Sequence, residues 1–362
     1  MKIRIDLNAY RANLMTLKDR LAPSELMAVV KDDAYGHGID QIVAAARQAG
    51  IVAFAVLDLE TGIRLRRDGH LDRERAFAWL CDEGDEFAEG IRCDIELGVS
   101  HIAVLDAIAA AVTDKPARVH LKIDSGLHRN GASLDQWPAL LLRARHWSDQ
   151  GRCVVVGIWT HIGEASEADD AASRVIFDEA IAQARGAGFN DIVCHLAASA
   201  ASFDRPEFRY DMARVGGFTY GIGPGDGVGP ADLGLSAVMS AHARVLGTHS
   251  FGSREVAVLD GGYVHGLPAW HSLAEPSEND GLPRSGFDVL LNGQRCPIVQ
   301  VNAYETLVAT TMPANAGDTA VLFGSHLRGE PVLQEWADAI GTVGEEIVVR
   351  MGTVNDREYV GD

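Results

Sequence analysis

The residues best suited to chemistry in this chain stand at the ends of short apolar runs. Lys31 ends the run Leu26 to Val30, Lys122 and Arg129 follow Val119 to Ile123, and His161 ends Val154 to Thr160. His195 and Ser199 follow Ile192 to Cys194, and Arg214 lies in Met212 to Tyr220. A solvated lysine or a hydrogen-bonded core histidine explains any one of them; their joint placement is harder to dismiss. In AVVKDDAYGHG, Ala28 to Gly38, a lysine directly follows an apolar strand and Tyr35 stands four residues later. Desolvation at a strand end lowers a lysine pKa and turns the amine into a nucleophile for a carbonyl cofactor. The run HLAASAAS offers the Ser199 hydroxyl to a phosphate, and DMARVGGFTYG offers the backbone N–H groups of Gly216 and Gly217.

The elements that would position these groups follow from the pattern of runs. After a strand-like MKIRIDL come eight apolar runs: Leu26 to Val30, Val52 to Leu57, Ala76 to Leu80, Ile102 to Leu105, Val119 to Ile123, Val154 to Thr160, Ile192 to Cys194 and Met212 to Tyr220. Longer stretches of helical periodicity separate them, the signature of repeated βα units. Eight units suit an α/β fold of the (β/α)8 TIM-like barrel type, and an open doubly wound sheet gives a similar pattern. In a barrel the reactive groups gather at the C-terminal ends of the strands. The glycine-rich GIGPGDGVGP matches no nucleotide-binding fingerprint and reads as a linker or lid. Beyond it ARVLGTHSF, REVAVLDGGY, FDVLLNG, CPIVQVNAYE, DTAVLFG and EEIVVRMG read as strands of a C-terminal all-β domain. The expected division is a barrel over residues 8–230 and a β-domain over 231–362, with residues 1–7 joining the latter.

Bulk properties narrow the partners. A chain of 362 residues holds about two domains at roughly 150 residues each. The net charge of −19, with no basic cluster, argues against nucleic acid and anionic membrane surfaces. No apolar run approaches the roughly 20 residues of a membrane span. The five cysteines are odd in number, widely spaced and without a C-x-x-C pair, which fits reduced thiols in a cytoplasmic protein.

Taken together, AVVKDDAYGHG, HLKIDSGLHRNG, WTHIG, HLAASAAS and DMARVGGFTYG resemble, in order and spacing, the motifs of the alanine racemase family, and the resemblance covers essentially the whole chain. It implies a cofactor, pyridoxal 5′-phosphate (PLP), bound covalently by Lys31, with Tyr35 beside its phosphate. It implies that Lys122, a position often carbamylated in the family, orients Arg129 toward the phenolic oxygen and the substrate. His161 would lie against the pyridine ring, and Ser199, Gly216 and Gly217 would form the phosphate cup. Arg214 would face the pyridine nitrogen, where a permanent cation makes the ring a weaker electron sink. The implied activity is racemisation of a small amino acid in a homodimer, without a metal, using one base on each face of the substrate Cα.

The second base is where the chain departs. The family's tyrosine lies in a Ser-Tyr-Gly context, and the nearest match here is Ser250-Phe251-Gly252, with a shortened stretch before Gly261 to Tyr263. Tyr304 and Glu305 stand where a Met-Asp pair is usual, His265 replaces an acidic residue, and Thr353 replaces a phosphate-contacting tyrosine. Tyr304 or His265 is the candidate replacement base, and the changed pocket admits a substrate other than alanine. Two rival readings are a one-base PLP enzyme of aldolase, dehydratase or decarboxylase type, and a non-catalytic PLP-binding protein. Against the first stands the absence of paired His-x-Cys or His-x-Asp metal ligands near the C-terminus.

Overall fold

Short runs of β-branched and small residues, each too brief for a buried helix, form the strands of this chain. A computed structural model describes residues 1–112, 114–164, 166–196, 198–225, 227–251, 254–269 and 286–361; the side chains of residues 251 and 254 lie outside the described set. The chain divides into one unit of Leu17–Lys31 and Ala46–Gly216 and another of Met1–Thr16, Asp32–Ala45 and Gly217–Asp362.

The first strand, β1 (Lys2–Asp6), belongs to the second of these units. The eight that follow build the other: β2 (Glu25–Val29), β3 (Ala53–Val56), β4 (Arg75–Ala78), β5 (Glu96–Val99), β6 (Ala117–Lys122), β7 (Cys153–Trp159), β8 (Val193–His195) and β9 (Met212–Val215). All pair in parallel in the order β8-β7-β6-β5-β4-β3-β2-β9. The two ends of this row meet where Asp211 N donates to Cys194 O (3.1 Å) and Cys194 N donates to the Asp211 carboxylate (2.8 Å). The result is a TIM-like (β/α)8 barrel. Its interior packs Met27, Ala53, Ala55, Phe77, Trp159 and Met212.

Two expectations for the barrel strands need correction. Ile102 to Leu105 opens a helix, Ile102–Ala111, and the fourth barrel strand is β5. The apolar pattern missed β5 because Glu96 and Gly98 interrupt it. Gly98 is needed there, since a Cβ would sit 2.6 Å from Trp79 O. Met212 to Tyr220 is a strand only to Val215; Gly217–Tyr220 is a 3₁₀ turn.

The second unit holds β10 (Met239–Phe251), β11 (Arg254–Asp260), β12 (Asp288–Leu291), β13 (Gln294–Val301), β14 (Glu305–Ala309), β15 (Thr319–Phe323) and β16 (Arg357–Val360). With β1 they form a sheet in the order β11-β14-β13-β12-β15-β10-β1-β16. Strand β1 runs antiparallel to β10, Lys2 opposite His242, and parallel to β16, Ile3 opposite Arg357. EEIVVRMG, expected as a strand, is part of the helix Gly344–Val354. Ile347, Val348 and Met351 fall at helical spacing and are buried, while Glu346 and Arg350 pair on the outer face one turn apart (2.7 Å).

Candidate active site

Strand β6 carries Arg118, His120 and Lys122 at alternate positions, so its polar side chains share one face and Val119 and Leu121 share the other. Inside the barrel unit the most connected of the polar groups is Arg214. It is buried, donating to His195 Nδ1 (2.8 Å), His195 O (3.1 Å), Thr160 O (2.7 Å) and Leu196 O (3.3 Å), with His161 Nδ1 at 3.3 Å. Its guanidinium also lies 5.0 Å from the centre of the Trp159 ring. Such a guanidinium has one orientation, fixed by four acceptors before any ligand arrives.

Around it the barrel unit gathers cations. Lys122 Nζ lies 4.4 Å from the Trp159 ring centre and donates to Asn130 Oδ1. Burial, then the charges of Arg214 and Arg129, push its amine down to about 7. Arg214 itself is pushed down to about 9 by burial and by Arg129. His161 is held well below the usual histidine range by burial, then by the Arg214, Arg129, Lys122 and Lys31 charges, so its imidazole is neutral at pH 7. Arg129 is exposed on a loop ordered by Asp124, whose carboxylate accepts from the backbone N–H groups of Gly126 (3.1 Å) and His128 (3.0 Å). Lys31 stands two residues past the end of β2, and Ser199 begins the helix Ser199–Asp204 after β8, its Oγ accepting from Gly216 N (3.2 Å). Sequence reasoning thus found groups that converge: Lys31, Lys122, Arg129 and Arg214 all act on His161, and Ser199 meets Gly216.

Tyr35, Gly217, His265 and Tyr304 belong to the other unit. The chain leaves Lys31 through a left-handed turn: Asp32, Asp33, Ala34 and Tyr35 have φ of 52°, 53°, 55° and 53°. Its amides close on themselves, Gly36 N to Asp32 O (2.9 Å) and Gly38 N to Asp33 O (3.0 Å), while the Asp33 carboxylate caps Ile39 N (2.8 Å). Arg357 pairs with Asp33 and donates to Gly36 O (3.2 Å). Gly36 and Gly352 touch so closely that a Cβ on Gly352 would sit 2.0 Å from Gly36 O. The Tyr35 ring is buried 4.9 Å from that of Tyr220. Burial, with the Glu345 and Asp32 charges, pushes its hydroxyl up, so it stays a neutral hydrogen-bond donor. Glu345 also reaches Gly217, where a Cβ would lie 2.6 Å from its Oε1.

His265 ends a 3₁₀ turn, Tyr263–His265, and Tyr304 lies in the bend before β14; their ring centres are 6.4 Å apart. Tyr304 is 72% exposed. The His265 Nδ1 accepts from Gly262 N (3.2 Å), and partial burial with the N-terminal ammonium lowers its pKa, leaving a neutral ring that carries its proton on Nε2. Phe251 ends β10, but its side chain and all of Gly252 lie outside the described residues. Thr353 is exposed on the helix Gly344–Val354 and donates to Val349 O (2.7 Å).

Residues passed over in the sequence prove central to this geometry: Glu96, His120, Trp159, Asn130 and Glu345. The signal available for two of them was the polar alternation of β6 and a carboxylate inside an otherwise apolar strand. Among the described residues no group of histidine, cysteine or acidic side chains is arranged to hold a metal, and no helix is long and apolar enough to cross a membrane.

Residues 5–224 match the family model for the N-terminal domain of alanine racemase, and residues 248–359 match that for its C-terminal domain. The alanine racemase of Salinispora arenicola is 35% identical over 100% of this chain and 98% of its own length. That of Mycobacterium tuberculosis is 33% identical over 95% and 92%. Among solved structures, the alanine racemase of Streptomyces lavendulae superposes with a TM-score of 0.90 at 32% identity, covering 100% of this chain and 97% of that one. That of Streptomyces coelicolor gives 0.90 at 31%, covering 100% and 98%.

Proposed function

The chain belongs to the alanine racemase family, and on that premise we propose that it interconverts the enantiomers of a small amino acid with Lys31 as the base on one face of the reacting carbon and Tyr304, flanked by His265, on the other. It is a PLP-dependent isomerase. When bound, PLP supplies the electron delocalisation that makes the substrate Cα–H acidic. The observation that carries the reading is the convergence of Lys31, Lys122, Arg129 and Arg214 on a neutral His161. Lys122 and Arg214 are pushed down by burial and by neighbouring cations, and such a cluster is matched by anions, which a phosphate-bearing cofactor with a carboxylate-bearing substrate provides.

Each residue then has a task set by its surroundings. Lys31, just past the end of β2, would hold the cofactor and move the proton on its own face. Arg214, a donor held by four acceptors, would face the ring nitrogen and, as a lasting cation, disfavour a proton there. Arg129 and Lys122 would orient the substrate carboxylate and the phenolic oxygen. His161 would lie against the ring without adding charge. Ser199 and Gly216 would hold the phosphate, with Gly217 and Tyr35 as further candidates for that task.

For the second base, Tyr304 is favoured over His265 because the one unprotonated ring nitrogen of His265 is taken by the Gly262 N–H, whereas the Tyr304 side chain is exposed. The base comes from the partner in a homodimer, and sedimentation of a fully active monomer would refute this. The changed residues at 304, 305 and 265 point to a substrate range that extends past alanine. The test is deuterium uptake from D₂O into L- and D-alanine and other small amino acids. Tyr304→Phe should slow exchange of one enantiomer by about 10²- to 10⁴-fold and leave the other nearly unchanged. Equal loss for both enantiomers, or none, would remove Tyr304 from this role.

A further inference from the structure

The polar column inside the barrel extends past the residues the proposed reaction uses. Glu96 Oε2 lies 2.8 Å from His120 Nε2, His120 Nδ1 lies 2.9 Å from His195 Nε2, and His195 Nδ1 lies 2.8 Å from Arg214 Nη1. All four side chains are buried. The column is built, not incidental. The pairing of β6 with β7 slips between Val119 and His120, so that His120 faces Gly157, and a Cβ on Gly157 would lie 2.0 Å from His120 Nδ1. Phe77 packs on both imidazoles, with ring centres 4.6 Å from His120 and 5.4 Å from His195, and Trp159 stacks on His195 at 6.0 Å.

A carboxylate only accepts, an arginine only donates, and a neutral imidazole does one of each. With those ends, the middle has a single solution. Arg214 donates to His195 Nδ1, His195 Nε2–H donates to His120 Nδ1, and His120 Nε2–H donates to Glu96. Resting on the reading of Arg214 as the residue that faces the cofactor's ring nitrogen, we propose that Glu96 is a positioning residue for that reaction: it closes the chain of hydrogen bonds behind Arg214 on an anionic acceptor, and so strengthens, through His120 and His195, the hold of His195 Nδ1 on the guanidinium.

Two observations fit this assignment. Burial lowers the pKa of both His120 and His195, so both are neutral at pH 7 and the one-donor, one-acceptor rule applies. Glu96 is ionised, because the bond from His120 and the charges of Arg75 and Arg118 outweigh its burial. Both of its oxygens are also in use: Arg118 Nε (3.2 Å) and Nη2 (2.5 Å) approach Oε1, and Arg75 Nε (3.3 Å) joins His120 at Oε2. Glutamine at this position has one acceptor oxygen for two sets of donors.

The experiment follows the histidine protons by ¹⁵N NMR in cofactor-free, full-length protein, and separately the steady-state kinetics of the PLP-loaded enzyme. Wild type should show His195 and His120 each as a single form protonated on Nε2. Glu96→Gln leaves the Arg214 donor on His195 Nδ1 but removes the anionic acceptor of His120 Nε2–H, so the His120 ¹⁵N signals should lose the signature of a charge-assisted bond. kcat should fall by about 10- to 100-fold, the range expected for losing a hydrogen bond to a charged group, with KM for the amino acid little changed. Glu96→Asp keeps a carboxylate and should retain the wild-type His120 signals. His120→Phe fills the ring volume beside Phe77, leaves Glu96 paired with its arginines and cuts the column; it should shift the His195 Nε2 signal and lower kcat to a similar extent, should Glu96→Gln fail to fold. Unchanged kcat in Glu96→Gln or His120→Phe, or Glu96→Asp as disturbed as Glu96→Gln, would overturn the proposal. Absence of PLP binding to the wild-type protein would refute the functional reading instead, with the tautomer result unaffected.

Discussion

The left-handed turn after Lys31 stores strain that the C-terminal segment must offset, and removing Arg357 should expose it. Four consecutive non-glycine residues, Asp32 to Tyr35, sit at positive φ. At about 1–2 kcal/mol each, the turn costs roughly 4–8 kcal/mol on its own. Part of the offset is Arg357, which pairs with Asp33 and donates to Gly36 O. The side chains are 25% and 42% exposed, so the ion pair is worth at most about 1 kcal/mol, and the bond to the carbonyl adds a similar amount. Arg357→Ala should therefore weaken the turn by about 1–2 kcal/mol, a factor of roughly 5–30 in its open population. Amide hydrogen exchange reads this directly, because the Gly36 and Gly38 amides bond only within the turn. Both should exchange about 5- to 30-fold faster in the variant, while amides of β6 keep their protection. Arg357→Lys, with one compact donor group for two acceptors, should fall between. Unchanged exchange at Gly36 and Gly38 would show that packing against Val348 and Gly352, not Arg357, holds the turn.

Other variants test separate parts of the argument. Lys31→Ala should abolish the borohydride-fixable attachment of PLP, measured as cofactor retained on denatured protein after reduction; wild-type retention would move the attachment elsewhere. Gly157→Ala puts a Cβ 2.0 Å from His120 Nδ1 and should destabilise the protein by about 1–3 kcal/mol, seen as a lower melting temperature. Lys122 has a pKa of about 7 in the folded protein, below its ordinary value, so between that pH and about 10 the unfolded chain binds the extra proton and stability rises with pH. Denaturant midpoints of cofactor-free protein at pH 7 and pH 9 should show this gain in wild type and a smaller one in Lys122→Met.

The barrel was legible because most of its strands are short, continuous and buried on both faces, so each reads as an apolar run ahead of a helix. β5 was not, since its first residue is a glutamate. A glutamate in a strand signals solvent unless its partners are known, and Arg75, Arg118 and His120 come from two other strands. The helix Gly344–Val354 was misread for a different reason. Ile347, Val348 and Val349 are β-branched in succession, and local propensity favours a strand. Tertiary burial of Ile347, Val348 and Met351 on one face decides for the helix. The turn at Asp32 to Tyr35 had no signal at all, because nothing in four ordinary residues announces left-handed backbone.

The candidate site divides along the same line. Lys31, His161 and Ser199 could be named because each follows a strand, where side chains are presented rather than packed, and Arg214, buried within β9, by the motif that surrounds it. Glu96 and His120 lie within strands, and their polarity is spent inside the barrel, where a core of apolar residues would be easier to stabilise. A fully satisfied polar column costs stability unless it sets something else. Here every bond in it points the same way, from the guanidinium of Arg214 to the carboxylate of Glu96, and reversing any one bond would set two N–H groups against each other. Orientation of one buried cation is the property that such a column can supply and an apolar barrel interior cannot.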